Sequence, residues 1–169
     1  CYIERTGRMA LDKQILQQLI LRYTATEVRG VRVDPSVVYG VCVKESRLEP
    51  AACRYEPHYK WLFQPDSVKP AICSEATEII MQKISWGLMQ VMGAVYRELG
   101  YRGWLSEITA DVDAQLMYGC LHLADKIGRH GLRGGLSAYN AGSPTDKNRG
   151  YVDDVLRFAG EWGEIAVPS

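Results

Sequence analysis

The chain has 169 residues, of which 47% are hydrophobic and 24% are charged. This balance is ordinary for a soluble globular protein, and the length is sufficient for one sizeable core. Twenty basic and twenty acidic residues give a formal net charge of zero, and the lack of a basic patch argues against nucleic acid as a partner. No apolar run approaches the roughly 20 residues that a membrane span requires. We expect a protein without a membrane span that acts as a monomer.

The first residues and the cysteines carry little information about chemistry. The segment CYIERTGR lacks the apolar region of an intact signal peptide, which favours a processed or truncated chain and leaves a lipid-modified Cys1 open. The five cysteines have no C-x-x-C spacing and the three histidines are scattered, so we expect no metal and no cofactor. Cys53 and Cys73 flank a loop-like segment, and the sequence leaves open whether they form a disulfide.

The first half of the chain predicts two helices followed by irregular structure. Apolar residues at helical spacing predict a helix within residues 11–28. Asp34 followed by Pro35 predicts the start of a second helix, because a carboxylate caps the first turn and proline suits the first helical position. Four prolines between residues 50 and 80 indicate mostly irregular structure there.

The second half of the chain predicts further helices, with Asp111 as the cap of a long one and Gly131 as its end. These helices are predicted at 74–84, 91–99, 111–130, 132–140 and 150–162. No convincing alternating strand is present, although residues 28–33 can pair briefly. The fold class is therefore mainly α, in one domain that comprises residues 1–169.

Glu45 occupies an unusual place for a carboxylate. It follows Val38, Val41 and Cys42 on one face of the second predicted helix, close to that helix's C-terminus. Apolar neighbours, partial desolvation and the negative end of the helix dipole all disfavour the ionised form. A carboxyl group in this place keeps its proton to higher pH, as a general acid must. The alternative interpretation is that the last turn frays and Glu45 points into water.

Four segments occur together in an order that is more specific than any one of them. They are VDPSVVYGVCVKESRLEPAA, SWGLMQVM, DAQLMYGCLHLADKIGRHGLRGGLSAYNAG and YVDDVL. This set spans about residues 33–157 and resembles the soluble lytic transglycosylases (SLT), a family of the lysozyme-like superfamily that also contains the goose-type lysozymes. The phage-encoded variant is most similar, since it also has RYEP after the catalytic motif.

This resemblance implies a lysozyme-like domain, with peptidoglycan glycan strands as partner and substrate. Its catalytic glutamate falls on Glu45. Its substrate-binding positions fall on Ser46, Gly87, Leu88, Met89, Gln90, Tyr139, Asn140 and Tyr151. We expect Gln90 to hydrogen-bond sugar or N-acetyl groups, while Gly87 lets the backbone approach the glycan. The alternative for Gln90 is an exposed turn of a helix.

The chain departs from the common family pattern in the segment after Glu45. The interval from Glu45 to Gly87 is 42 residues, longer than in common members, and it forms an irregular insert near residues 50–80. The insert contains RYEPHYKW, whose aromatic residues suit either a groove wall that stacks on sugars or a flap that packs on itself. We include Tyr55 and Glu56 of this motif among the candidate substrate-binding residues.

The chemistry implied by the resemblance is cleavage of the β-1,4 bond from N-acetylmuramic acid to N-acetylglucosamine. Goose-type lysozymes have an aspartate shortly before the GLMQ glycine, whereas this chain has IIMQKIS there. A missing second acid favours substrate-assisted cleavage that leaves a 1,6-anhydro end. The alternatives are a hydrolytic muramidase that uses an acid such as Glu56, and a non-catalytic glycan-binding virion module. Each of these acts at the cell wall or in the periplasm, as an endolysin, a virion-associated lysin or a processed secreted protein or lipoprotein.

Overall fold

The computed structural model describes residues 12–25, 27–28 and 30–165, and helices dominate this part of the chain, as predicted. The predicted helix residue Leu11 lies outside the described residues. The helices are α1 (Lys13–Thr24), α2 (Pro35–Ser46), α3 (Glu75–Gln82), α4 (Gly93–Glu98), α5 (Val112–Ala141), α6 (Arg149–Ala159) and α7 (Trp162–Ile165). Two short 3₁₀ helices occur at Leu105–Ala110 and Asp146–Asn148.

The predicted starts of α2 and α5 are confirmed by their capping contacts. The Asp34 carboxylate accepts a hydrogen bond from the Ser36 backbone N–H (2.8 Å), and Pro35 is the first residue of α2. Arg47 ends α2 in the left-handed region, with φ 56°. The Asp111 carboxylate accepts from the Ala114 N–H (2.9 Å) and so caps α5.

Helix α5 consists of two helical segments that meet at a kink at Gly131, the residue where the first of them is predicted to end. Gly131 has φ 70° and ψ 175°, which breaks the helical geometry at one residue. Helix α5 then continues to Ala141. The two helices predicted at 111–130 and 132–140 are therefore two halves of one kinked helix.

A small antiparallel sheet was missed by the sequence analysis. Its strands are β1 (Cys53–Tyr55), β2 (Ile84–Trp86) and β3 (Val91–Met92), in the order β1-β2-β3. Strands of two or three residues are too short to show alternation, so the expectation of no strand was wrong. The helix predicted at 91–99 also starts two residues later, at Gly93. The predicted brief pairing in residues 28–33 is present as a bridge between Val28 and Val31.

Helix α2 lies in the middle of the core and packs directly against α6. Six consecutive α2 residues, 37–42, are buried. A Cβ atom on Gly40 would collide with the backbone of α6 at Val155, so glycine is required for this close approach. The contact fixes α6 beside the C-terminal half of α2, where Glu45 lies.

The insert is anchored to α3 and α4 by a buried polar network. Glu78 and Arg97 are both completely buried and form two hydrogen bonds of 2.7 and 2.9 Å. The Gln82 amide donates to Glu78 (3.0 Å) and exchanges two hydrogen bonds with the backbone of Phe63 in the insert. Removal of one partner would leave a buried charge without compensation, a costly change. The network therefore holds the insert in place.

The turn between β2 and β3 is closed by the side chain of Gln90. Its amide nitrogen donates to the carbonyl oxygens of Ala52 (3.0 Å) and Gly87 (2.9 Å), and its amide oxygen accepts from the Ser85 hydroxyl (2.8 Å). Gln90 itself has φ 48°, a left-handed conformation that is uncommon outside glycine. Gln90 thus joins the turn to the residue that precedes β1, and it does not lie in a helix.

We predict that Gln90→Ala lowers the free energy of unfolding by about 1–3 kcal/mol, because it leaves partly buried polar groups without partners. Urea unfolding measures this change. Gln18→Ala is the matched control, since Gln18 is exposed on α1, and it should change stability by less than about 0.5 kcal/mol. Equal stabilities for the two variants would contradict the role of Gln90 in the turn.

Candidate active site

Glu45 lies in the last turn of α2 and is hydrogen-bonded to a tyrosine of α6. The Tyr151 hydroxyl donates to Glu45 Oε1 at 2.6 Å. Burial raises the pKa of Glu45 above its ordinary value, and the Tyr151 hydrogen bond and the positive charges of Arg54 and Lys44 oppose this rise. The alternative interpretation, in which the last turn frays and Glu45 points into water, is wrong, because Glu45 is partly buried in regular helix.

Tyr151 keeps its proton in this environment. Burial raises the pKa of Tyr151 far above its ordinary value, and the negative charge of Glu45 adds to the effect. Tyr151 therefore acts as a hydrogen-bond donor to the ionised form of Glu45. The pair combines a desolvated carboxyl group with one donor that stabilises its charge.

Ser46 and Tyr139 hold the turn 87–90 against the two helices that carry them. The Ser46 hydroxyl donates to the carbonyl oxygen of Leu88 (2.9 Å), and the Tyr139 hydroxyl of α5 donates to that of Met89 (2.7 Å). The side chains of Leu88 and Met89 are completely buried in the core. Leu88 and Met89 therefore contribute their backbone groups to the site, while their side chains belong to the core.

Gln115 helps to hold the turn 87–90 in place, and the sequence did not single it out. This completely buried α5 residue accepts a hydrogen bond from the Leu88 N–H (2.8 Å) and donates to the carbonyl oxygens of Pro50 (3.0 Å) and Ile108 (2.6 Å). Gly87 has φ 74°, and a Cβ atom there would collide with the Gln115 side chain. The sequence signal was a polar residue on a helix with many buried apolar residues, which is weak by itself.

Asn140 lies at the exposed end of α5, where its side-chain oxygen accepts from Asn148 (3.0 Å). Asn148 also accepts from the Ser137 hydroxyl (2.7 Å) and donates to the Ser137 carbonyl oxygen (3.0 Å). The hydrogen bonds of Asn140 and Gln90 described above are made within the protein. Their expected contacts with sugar stay predictions.

Besides Glu56, the acidic residues Glu75 and Glu78 also precede the GLMQ segment, and the three are held in different ways. Glu56 forms an ion pair with Arg54 (2.5 Å), and both side chains are accessible to solvent. Glu78 is completely buried in its ion pair with Arg97. Glu75 is exposed in the first turn of α3, about 10 Å along the helix axis from Gln82. Of these acids, Glu56 is the one tied to a residue whose charge acts on Glu45.

Tyr55 lies on β1 opposite Ile84, with about half of its surface exposed. Side chains alternate between the two faces of a strand, so Tyr55 and Arg54 lie on opposite faces. The expected contact of Tyr55 with substrate therefore requires a glycan on the face away from Arg54, and it stays a prediction.

The described part of the chain contains no cluster of three His, Cys, Asp or Glu residues suited to a metal ion. Cys53 and Cys73, which the sequence left open as a disulfide, are free thiols, Cys53 exposed and Cys73 buried. None of the described helices combines the length and the apolar composition needed to cross a membrane.

The site therefore consists of a desolvated carboxyl group at a helix end, a tyrosine that donates to it and a polar turn fixed beside it. Such an arrangement can donate and accept a proton. A comparison with curated proteins found no similar sequence. The transglycosylase SLT domain model matches residues 22–154, which is most of the chain and includes Glu45, the turn 87–90, Tyr139 and Tyr151. The chain therefore belongs to the transglycosylase SLT domain family of lysozyme-like, peptidoglycan-degrading enzymes.

Proposed function

We propose that this enzyme is a lytic transglycosylase in which Glu45 serves first as the acid and then as the base. The bond cut is the β-1,4 link from N-acetylmuramic acid to N-acetylglucosamine in peptidoglycan. The observation that carries this proposal is the partly buried Glu45 carboxyl group with the Tyr151 hydroxyl 2.6 Å away. The substrate class agrees with the family, and the bond and the product are our inference.

In the first step, protonated Glu45 gives its proton to the glycosidic oxygen. The bond between that oxygen and C1 of the muramic acid breaks, and the N-acetylglucosamine portion leaves with a new 4-hydroxyl group. Burial favours the protonated form of Glu45 before the reaction, because it raises the pKa of this carboxyl. The substrate's own N-acetyl oxygen stabilises the cation at C1, as in other substrate-assisted enzymes.

In the second step, the Glu45 carboxylate takes the proton of the C6 hydroxyl of the same muramic acid. The C6 oxygen then bonds to C1 and closes a 1,6-anhydro ring, which restores protonated Glu45 without consuming water. Between the two steps, the hydrogen bond from Tyr151 stabilises the carboxylate. The C6 hydroxyl is already bound and oriented, so it needs no separate capture, unlike a water molecule.

The surroundings of the other acids support ring closure over hydrolysis. A hydrolase of this type needs a carboxylate to activate water. Glu78 is buried in an ion pair with Arg97, and Glu56 is already ion-paired with Arg54. Glu56 remains the acid to replace if hydrolysis is found.

We predict that Glu45→Gln lowers the rate of release of soluble muropeptides from purified cell walls by about 10²–10⁴-fold or more, since it removes the general acid. Glutamine keeps an oxygen that can accept from Tyr151, so the local structure should survive. Near-wild-type release by Glu45→Gln would contradict the role of Glu45.

The same variant carries its own control for folding. Because burial raises the pKa of Glu45 in the folded protein, ionisation of this group costs stability above that pKa, and the cost disappears as the pH falls below the unfolded value of about 4.3. We therefore expect Glu45→Gln to melt at a higher temperature than the wild type at neutral pH, and the difference should vanish in acid. A lower melting temperature would mean that lost activity reflects damage to the fold.

We predict that Tyr151→Phe moves the alkaline limb of the kcat/KM profile to higher pH. The variant removes a hydrogen bond that favours ionised Glu45, so the pKa of Glu45 rises and the acid stays protonated to higher pH. Tyr139→Phe is the matched control, because the Tyr139 hydroxyl donates to the Met89 carbonyl oxygen. An alkaline limb that moves equally in both variants, or in neither, would argue against the pairing of Tyr151 with Glu45.

A further inference from the structure

The insert presents an exposed aromatic pair, Tyr59 and Trp61. Their rings meet edge to face, with centroids 5.5 Å apart. The Trp61 side chain is 68% exposed, whereas Tyr59 is more shielded. The Lys60 ammonium lies 5.3 Å from the centroid of the Trp61 ring, a cation–π contact that favours one ring orientation. Tryptophan is enriched at binding surfaces relative to the rest of a protein's surface.

The loop that carries this pair is hydrogen-bonded at both ends, and its two partners, Gln82 and Lys83, are consecutive residues. On one side, the Glu56 N–H donates to the Lys83 carbonyl oxygen (2.8 Å). On the other side, Phe63 exchanges two hydrogen bonds with the Gln82 side chain, 2.8 and 3.0 Å long. Gln82 belongs to the buried Glu78 network described above. Trp61 therefore lies on a short loop that is hydrogen-bonded at both ends. A ligand that binds Trp61 loses little binding free energy to ordering of this loop.

The sheet connects this loop to the active site. At one end of the sheet, the Gly87 N–H donates to the Ala52 carbonyl oxygen (2.7 Å), and the turn that follows is bound by Ser46, next to Glu45. Strand β1 runs from there toward the other end, where Glu56 pairs with Lys83. Strand residues advance about 3.3 Å each, so the four steps from Gly87 to Lys83 cover about 13 Å.

We infer that Tyr59 and Trp61 form a distal subsite that stacks on a sugar of the same glycan strand, beyond the two sugars that flank the bond cut. The inference rests on the proposed function. The C–H groups of a pyranose face pack on an aromatic ring, and a Trp ring offers a large area of this kind with few rotatable bonds. A glycan strand is long, so an enzyme with this subsite binds long strands more tightly than short fragments.

The test compares Trp61→Ala with Ile72→Ala, both in the Glu45→Gln background so that bound strands remain intact. Ile72 is the matched control, because it is another exposed apolar residue of the insert, 89% exposed, and it lacks an aromatic face. The probes are peptide-free glycan strands sorted by length, together with the disaccharide, and the measurement is the dissociation constant by calorimetry. We expect Trp61→Ala to weaken binding of long strands by about tenfold and Ile72→Ala to leave it unchanged. Trp61→Phe should retain most of the affinity.

Equal affinities of Trp61→Ala and Ile72→Ala for long strands would overturn the subsite. So would an equal loss for the disaccharide and the long strands. A second measurement needs no truncated side chain: the indole N–H signal of Trp61, assigned by its loss in Trp61→Phe, should shift with long strands and not with the disaccharide. An unshifted signal under saturating long strands would also overturn the inference. Failure of the proposed function is seen separately, as lack of wall cleavage by the wild type.

Discussion

The backbone N–H and C=O groups of the turn at residues 87–90 need hydrogen-bond partners within the protein. The side chains that supply these hydrogen bonds determine much of the geometry of the site. A buried N–H or C=O without a partner costs about 1–3 kcal/mol, so each partner is under strong constraint. The partners come from distant parts of the chain: Ser46 on α2, and Gln115 and Tyr139 on α5. Because Ser46 directly follows Glu45, the hydrogen bond from Ser46 that holds the turn also limits where the Glu45 carboxyl group can lie.

Glu45 itself is placed at a cost to stability. Its neighbours exclude water, which disfavours its charge, and the close contact of α2 with α6 at Gly40 brings Tyr151 within hydrogen-bond distance. The Tyr151 hydroxyl and the positive charges of Arg54 and Lys44 then reduce the cost of ionising Glu45 without removing it. This balance suits a group that begins the reaction as an acid and must hold a charge for part of it. The same balance explains why neutralising Glu45 is expected to stabilise the fold.

The sequence allowed the helices and the family to be predicted, since helices depend on local signals and the family on four segments that occur in a fixed order. Asp34 and Asp111 are capping residues, and their positions identify where α2 and α5 begin. The catalytic position could be proposed because Glu45 follows an apolar helical face. The strands β1 to β3 could not be predicted, because segments of two or three residues have no measurable periodicity.

The polar contacts inside the site were also beyond sequence reasoning, for a physical reason. A glutamine can bind a ligand or close a turn with the same donor and acceptor atoms, and only its neighbours in space decide between these uses. Gln90 was expected to face the glycan, yet its amide binds Ala52, Gly87 and Ser85. Gln115 gave only a weak signal, a polar residue on a largely apolar helix, although it binds three segments that are far apart in the sequence.

The measurement that tests the central claim most directly is the mass of the muropeptides released from purified cell walls, before and after chemical reduction. If Glu45 takes the proton of the C6 hydroxyl and the C6 oxygen closes the ring, the muramic acid ends are one water lighter than hydrolysis products. Borohydride then leaves their mass unchanged. Full-weight ends that gain two hydrogens on reduction would contradict the account, because they require an activated water that the proposed mechanism does not use.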